Sequence, residues 1–261
     1  MDPAIALARV RFPFGNESSP VRRDGVAYAE ALARLVPLAD FIPSGSDAGF
    51  LSRHALIRTG SVLVGAGSDT GNMAVIDGEL ALTTVILPLL GQISFQVGNR
   101  RLEARQGQSL VFLAGEAFRS ENGFYAGSCF SVPLGRLAAQ AAELSGDPGS
   151  IDRFLAGCRE SRQINLDTPL LCHLHASMER TLALLASLRP EGEGQNGREG
   201  EAIESLLIRF LTLLLHPQLA GDFPRDHLPR LRVPRRRRRW REDPPPPGGR
   251  PGPQDRPPEA G

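Results

Sequence analysis

Lysine is missing from this 261-residue chain: all 30 of its basic residues are arginine, the mark of a GC-rich gene. Cysteine is scarce. Cys129, Cys158 and Cys172 form an odd set without metal-ligand spacing. That argues against a disulfide framework or a zinc site and predicts a reduced, cytoplasmic setting. No apolar run reaches the ~18 residues that span a bilayer, so no membrane partner is expected. The first residues carry Asp2 and scattered charge rather than a basic start and an apolar core, so no secretory signal is expected either. There is no Gly-x-Ser-x-Gly elbow and no obvious acid–base pair. Nothing in the chain calls for a cofactor or for enzymatic activity.

The net charge of +1 hides an asymmetry. Residues 222–261 hold 11 arginines against 6 acids, a net of +5, while residues 1–221 hold 19 against 23, a net of −4. The body alone therefore gives no reason to expect nucleic-acid binding. The 222–261 segment also holds 11 of the 22 prolines and almost nothing apolar to bury, which predicts a disordered tail. Its run Arg235, Arg236, Arg237, Arg238, Arg239 followed by Trp240 can grip phosphates and stack on a base. Such contact would be weak, non-specific and salt-sensitive.

The stretch 73–132 organises the rest. Ile93, Phe95 and Val97 alternate with Ser94 and Gln96, the period of a half-buried strand. Gly98-Asn99 supplies a hairpin turn into 100–105, where Leu102 and Ala104 share a face. Gln106-Gly107-Gln108 turns the chain again. Residues 109–114 are a continuous apolar run, as in a strand buried on both faces. Phe124, Ala126, Ser128, Phe130 and Val132 give another alternating strand. Residues 80–87 form one more, interrupted by Pro88 at an edge or bulge. Short strands with regular turns mean a small barrel or sandwich, with Ile93, Phe95, Leu110, Phe112, Phe124 and Phe130 in its core.

Residues 1–25 mix proline, glycine, serine and charge and read as a flexible arm; 26–38 reads as a short helix ended by Pro37. Residues 51–64 suit one or two strands. Val62-Leu63-Val64-Gly65-Ala66-Gly67 with Gly71 superficially matches a phosphate-binding loop. Strand pattern, not a helix, follows it, so it reads as a turn between strands.

After Val132 the period becomes helical. Leu134, Leu137, Ala138, Ala141 and Leu144 share one face, ended by Ser145-Gly146-Asp147-Pro148. Ile151, Phe154 and Leu155 suggest a short second helix. Thr168-Pro169 opens a third, with Leu171, Leu174, Met178, Leu182 and Leu185 on one face. A Gly/Glu/Asn linker over 190–200 precedes a last helix at 201–216. These apolar faces are wider than packing on a barrel requires, which predicts a homodimer surface at Leu170, Leu171, Leu174, Met178, Leu206, Leu207, Phe210, Leu211 and Leu214. His173 and His175 point to different faces of their helix, unlike metal ligands at i, i+4.

The order of these parts resembles the N-terminal half of AraC-type transcription regulators. It rests on Phe50-Leu51-Ser52-Arg53, Leu89-Leu90-Gly91-Gln92, Leu102-Glu103-Ala104-Arg105-Gln106-Gly107-Gln108-Ser109, Phe130-Ser131-Val132-Pro133-Leu134 and the closing helix. The match covers about 40–221. The resemblance implies an α+β fold, a cupin-like β-barrel or jelly roll over 26–132 followed by a helical dimerisation segment over 133–221. It implies a small-molecule effector bound in the barrel interior, with Phe95, Phe112 and Phe130 as candidate contacts. The family continues into helix-turn-helix DNA-binding units. The tail stands in their place, which predicts a truncation or frameshift and no sequence-specific DNA binding. The competing reading is a cupin-type enzyme; residues 73–132 hold no histidine, which counts against its metal-dependent forms.

Overall fold

Strand β1 (Leu38–Pro43) follows helix α1 (Gly25–Ala33), and nine further strands come in succession. They are β2 (Ser52–Thr59), β3 (Val62–Asp69), β4 (Asn72–Ile76), β5 (Thr83–Leu90), β6 (Gln92–Val97), β7 (Arg100–Arg105), β8 (Ser109–Leu113), β9 (Phe118–Asn122) and β10 (Tyr125–Val132). Then come α2 (Leu134–Ser145), α3 (Ser150–Gly157), β11 (Arg162–Asn165), α4 (Pro169–Ser187) and α5 (Arg198–Leu215). The computed structural model describes residues 7, 10–12, 19, 21–34, 36–44, 49–187 and 198–221. The expected tail, with Arg235–Arg239 and Trp240, lies outside the described residues, as does most of the expected linker.

All strands join one antiparallel sheet in the order β1-β4-β9-β6-β7-β8-β5-β10-β3-β2, with β11 added to β8. The sheet curls into a cupin-like half-barrel, and helices α2 to α5 pack on its outer face while α1 lies at the cavity. The β6–β7 hairpin turns at Gly98-Asn99 with Val97 opposite Arg100, the expected register. Pro88 lies where β5 and β10 slip register, so the strand runs through it at a bulge.

Strand β8 explains the two cores. All five of its residues are buried. Leu110 and Phe112 pack into the cluster that reaches α2, α4 and α5. Val111 and Leu113 face the barrel interior with Phe95, Val97, Leu102 and Ala104. Ile93 and Phe124 are partly buried beside these clusters; Phe95, Leu110, Phe112 and Phe130 are buried.

Two local expectations are corrected. Residues 62–67 form no turn: they continue β3 through Asp69. The glycines serve close strand approach, since a Cβ on Gly65 would lie 2.6 Å from Cys129 Sγ across the ladder. Nor are all residues of 1–25 a loose arm. Leu7, Val10 and Phe12 are buried. The Arg53 guanidinium donates to the carbonyls of Ser19, Leu7 and Val10 at 3.1, 3.3 and 3.4 Å and lies 5.3 Å over the Phe12 ring.

In the helical layer, Gly146 closes α2 in a left-handed conformation. The Thr168 hydroxyl accepts from the Leu171 amide at 3.3 Å, the cap expected for α4. Strand β11 departs from a purely helical segment by returning to the sheet beside β8.

Candidate functional site

A cavity of about 410 Å³ lies inside the half-barrel, lined by both strands and α1. The interior faces of β4, β5 and β6 give it Ala74, Ile76, Ile86, Ile93 and Phe95. Phe118 adds an edge-on partner to Phe95, with ring centroids 5.6 Å apart. Tyr28 and Leu32 of α1 close one side, and Leu80–Leu82 another. Helix α1 is placed by Asp24, whose carboxylate caps the amides of Val26 and Ala27 at 2.8 and 3.2 Å. Tyr28 also packs against Phe41, Phe50 and His54, with centroids 5.3, 5.6 and 5.8 Å away.

One wall is polar. Asp69 ends β3, Asn72 begins β4 and Asn122 ends β9; all three are buried and all line the cavity. Asp69 Oδ1 accepts from Asn122 Nδ2 at 2.7 Å and from the Gly71 amide at 2.9 Å. Burial raises the Asp69 carboxyl to about 6, against the downward pull of hydrogen bonds from Asn122, Gly71 and Asn72. Burial likewise raises the phenols of Tyr28 and Tyr125, and the negative charge of Asp69 adds to it. Burial raises the Cys129 thiol, so it stays protonated. Ser128 lies opposite Ala66 and Leu87, on the face of β10 that Ala126 and Phe130 turn to the helices, and its buried hydroxyl has no hydrogen-bond partner among the described residues. The cavity thus offers an apolar body and one charged, hydrogen-bonding wall.

The sequence pointed to barrel-interior aromatics but missed this wall. Phe95 lines the cavity. Phe112 and Phe130 do not; they pack on the opposite face among the helices, with Arg162 stacked 5.3 Å over Phe112. Both faces of β8 are apolar, so hydrophobicity alone could not say which side Phe112 takes. Asp69-Thr70-Gly71-Asn72 and Asn122-Gly123 have the composition of turns, which masks their role at strand ends facing a cavity. A polar residue ending an otherwise apolar strand was the available signal.

Among the expected dimer residues, Leu171, Leu174, Met178, Leu207, Leu211 and Leu214 are buried in this chain's own core. Leu170 and Phe210 pack against it in part, and Leu206 is 41 % exposed. His173 and His175 sit apart from the cavity on α4, and burial lowers the pKa of His175. The fold also joins two residues distant in sequence: Cys158 Sγ lies 3.7 Å from His216 Nε2. Burial raises that thiol and lowers that imidazole, so the pair is neutral rather than a thiolate–imidazolium couple. No cluster of three or more His, Cys, Asp or Glu suited to a metal occurs among the described residues. None of the described helices is long and apolar enough to cross a membrane.

This architecture is a cupin-like half-barrel extended by a helical layer. Among solved structures it is similar to the AraC-like transcriptional activator CuxR, with a TM-score of 0.55 and 13% identity over 76% of this chain and 69% of that one. At that identity the likeness is one of fold, and it is the fold expected from the sequence. Weaker likenesses include a cupin-like protein of Thermotoga maritima (TM-score 0.28, 10% identity, 36% of this chain and 80% of that one). A predicted oxalate decarboxylase of the same organism gives a TM-score of 0.28 and 14% identity over 39% and 96%. No protein-family model and no curated protein sequence matches the chain.

Proposed function

We propose that this chain is the ligand-sensing module of an AraC-like regulator, binding a small molecule in the half-barrel cavity. The observation that carries this reading is the cavity itself: about 410 Å³, mainly apolar, with Asp69, Asn72 and Asn122 converging on one wall. Sites for small ligands have this composition. The likeness to CuxR supports it, because it spans the helical layer as well as the barrel. Residues 1–221 carry a net charge of −4, which opposes docking on a phosphate backbone, so these residues are assigned to sensing rather than to DNA. A homodimer is part of the proposal, with Leu206 on the outer face of α5 as its anchor.

Thermal-shift screening with small organic molecules, followed by calorimetry, tests the reading. A ligand that stabilises the wild type should fail to stabilise Gly67→Leu. Gly67 lines the cavity, and the atom nearest an added Cβ, a backbone oxygen of Arg53, is 3.8 Å away. Equal stabilisation of both proteins would place the ligand elsewhere.

One observation favours a second reading. A carboxyl titrating near 6 inside a cavity with two phenols is suited to acid–base catalysis. Chemical recovery of the bound ligand separates the readings: an unchanged ligand supports a sensor, and conversion supports an enzyme.

A further inference from the structure

Asp69 is a buried acid in a cavity that supplies no base. Tyr28, Tyr125 and Cys129 are the other titratable groups along the wall, and all three are acids held neutral by burial. Among the described residues lining the cavity, none is arginine or histidine. Of the bases on β2, Arg53 turns its guanidinium to the carbonyls of Leu7, Val10 and Ser19, Arg58 is exposed, and His54 packs edge-on against Tyr28 without lining the cavity. From β4 and β9, Asp69 meets only the neutral amides of Asn72 and Asn122.

These amides hold the carboxylate in place but leave its charge uncompensated. A buried charge without a counter-ion is costly, and the cost falls when a ligand brings the opposite charge. The carboxylate oxygens of Asp69 suit the N–H donors of an ammonium group. Tyr28, Tyr125 and Phe95 give the lining aromatic rings, which favour a cation over an anion. The rest of the lining is aliphatic and suits an uncharged body.

We propose that the ligand of this cavity is a small hydrophobic amine, with its ammonium paired to Asp69 and its apolar body against Ile86, Ile93, Phe95 and Phe118. The proposal rests on the reading of the cavity as a ligand site. It excludes carboxylic acids as ligands, because a second anion beside Asp69 would meet like charge without a base to screen it. Titration of Asp69 near 6 adds a pH signature: amine affinity should rise from pH 5 to pH 7 and then level off.

Calorimetry on the full chain with phenethylamine, 2-phenylethanol and phenylacetate tests it, since the three share a body and differ in the head group. The amine should bind at least tenfold more tightly than the alcohol, and phenylacetate should not bind. Asp69→Asn should remove the amine's advantage over the alcohol and its pH dependence. Should that variant fail to fold, the pH profile of the wild type still decides: amine affinity independent of pH between 5 and 7 overturns the pairing. Equal or tighter binding of the alcohol or the acid overturns the amine class but keeps the cavity as a ligand site. If none of the three binds and Gly67→Leu changes no ligand response in the wider screen, the sensing reading fails as well.

Discussion

At Asp69 burial and hydrogen bonding pull in opposite directions, and burial wins: the carboxyl moves from 3.8 to about 6. A raised folded-state pKa means that the native protein holds this proton more tightly than the unfolded chain does. The stabilisation is complete below the unfolded value and is lost as pH rises through about 6. Between pH 4 and pH 7 wild type should therefore lose about 2 kcal/mol relative to Asp69→Asn, most of what the shift is worth. Urea denaturation of both proteins across that range measures it, and parallel curves would show that Asp69 is not desolvated. Phe112 acts through packing alone. It is fully buried between β8 and the helices, so Phe112→Ala should cost about 3–5 kcal/mol. A cost below about 1 kcal/mol would mean that the site lies outside the core.

Among the elements, the clasp between α5 and the β2–β3 turn joins the helical layer to the barrel. Glu204 Oε1 accepts from the Ser61 amide at 2.9 Å and the Ser61 hydroxyl at 2.6 Å, with Arg136 3.5 Å away. Burial pushes the Glu204 carboxyl up, but the bonds from Ser61 and Arg136 outweigh it and hold the carboxyl below its ordinary 4.5. A depressed folded-state pKa contributes stability above 4.5 that is lost as pH falls through the lower folded value. Glu204→Ala should cost about 1.5–3 kcal/mol at pH 7, the scale of hydrogen bonds to a charged group, with the deficit shrinking in acid. Gly60 makes the same contact from the other side. Its φ is +56°, and a Cβ there would overlap the Glu204 carboxylate, so Gly60→Ala should weaken the clasp too. Denaturation midpoints at pH 7 and pH 4 test both variants.

None of this clasp was legible in the sequence, since Ser61 and Glu204 lie 143 residues apart. What was legible follows from periodicity. The β6–β7 hairpin, β10, α2 and α4 each have one apolar face or one clear cap, and their positions match to within a few residues. Strands β1, β9 and β11 were missed for lack of that signal. Strand β1 is a sheet edge, with none of its residues buried. β9 (FRSEN) and β11 (RQIN) carry one large apolar residue each, so their pairing comes from neighbouring strands rather than from their own pattern. The cavity wall was hidden for a related reason: side chains that look like turn formers line it only because β3, β4 and β9 bring them together.

For the molecule as a whole, the question is where the helical layer spends its apolar surface. The sequence offers more leucine on α4 and α5 than one barrel face needs, and a second copy is the expected outlet. Within one chain much of that surface is already used. From Leu211 to Leu215 every residue of α5 is buried, Thr212 included; its hydroxyl donates to the carbonyl of Ile208 at 2.8 Å. A dimer must then use what is left, and Leu206 is the large side chain of α5 that faces outward. Two variants one residue apart separate the roles. Leu207→Ala removes a fully buried side chain and should cost about 2–5 kcal/mol at any protein concentration. Leu206→Glu removes no core contact, so its monomer should keep the wild-type denaturation midpoint at low concentration. It places a charge at the proposed interface, where a buried unpaired carboxylate is costly, so association should be lost. Light scattering across a concentration series checks this: wild type should pass from monomer to dimer while Leu206→Glu stays monomeric. A wild type that remains monomeric at high concentration would mean that the apolar surface of α4 and α5 serves the intrachain core alone.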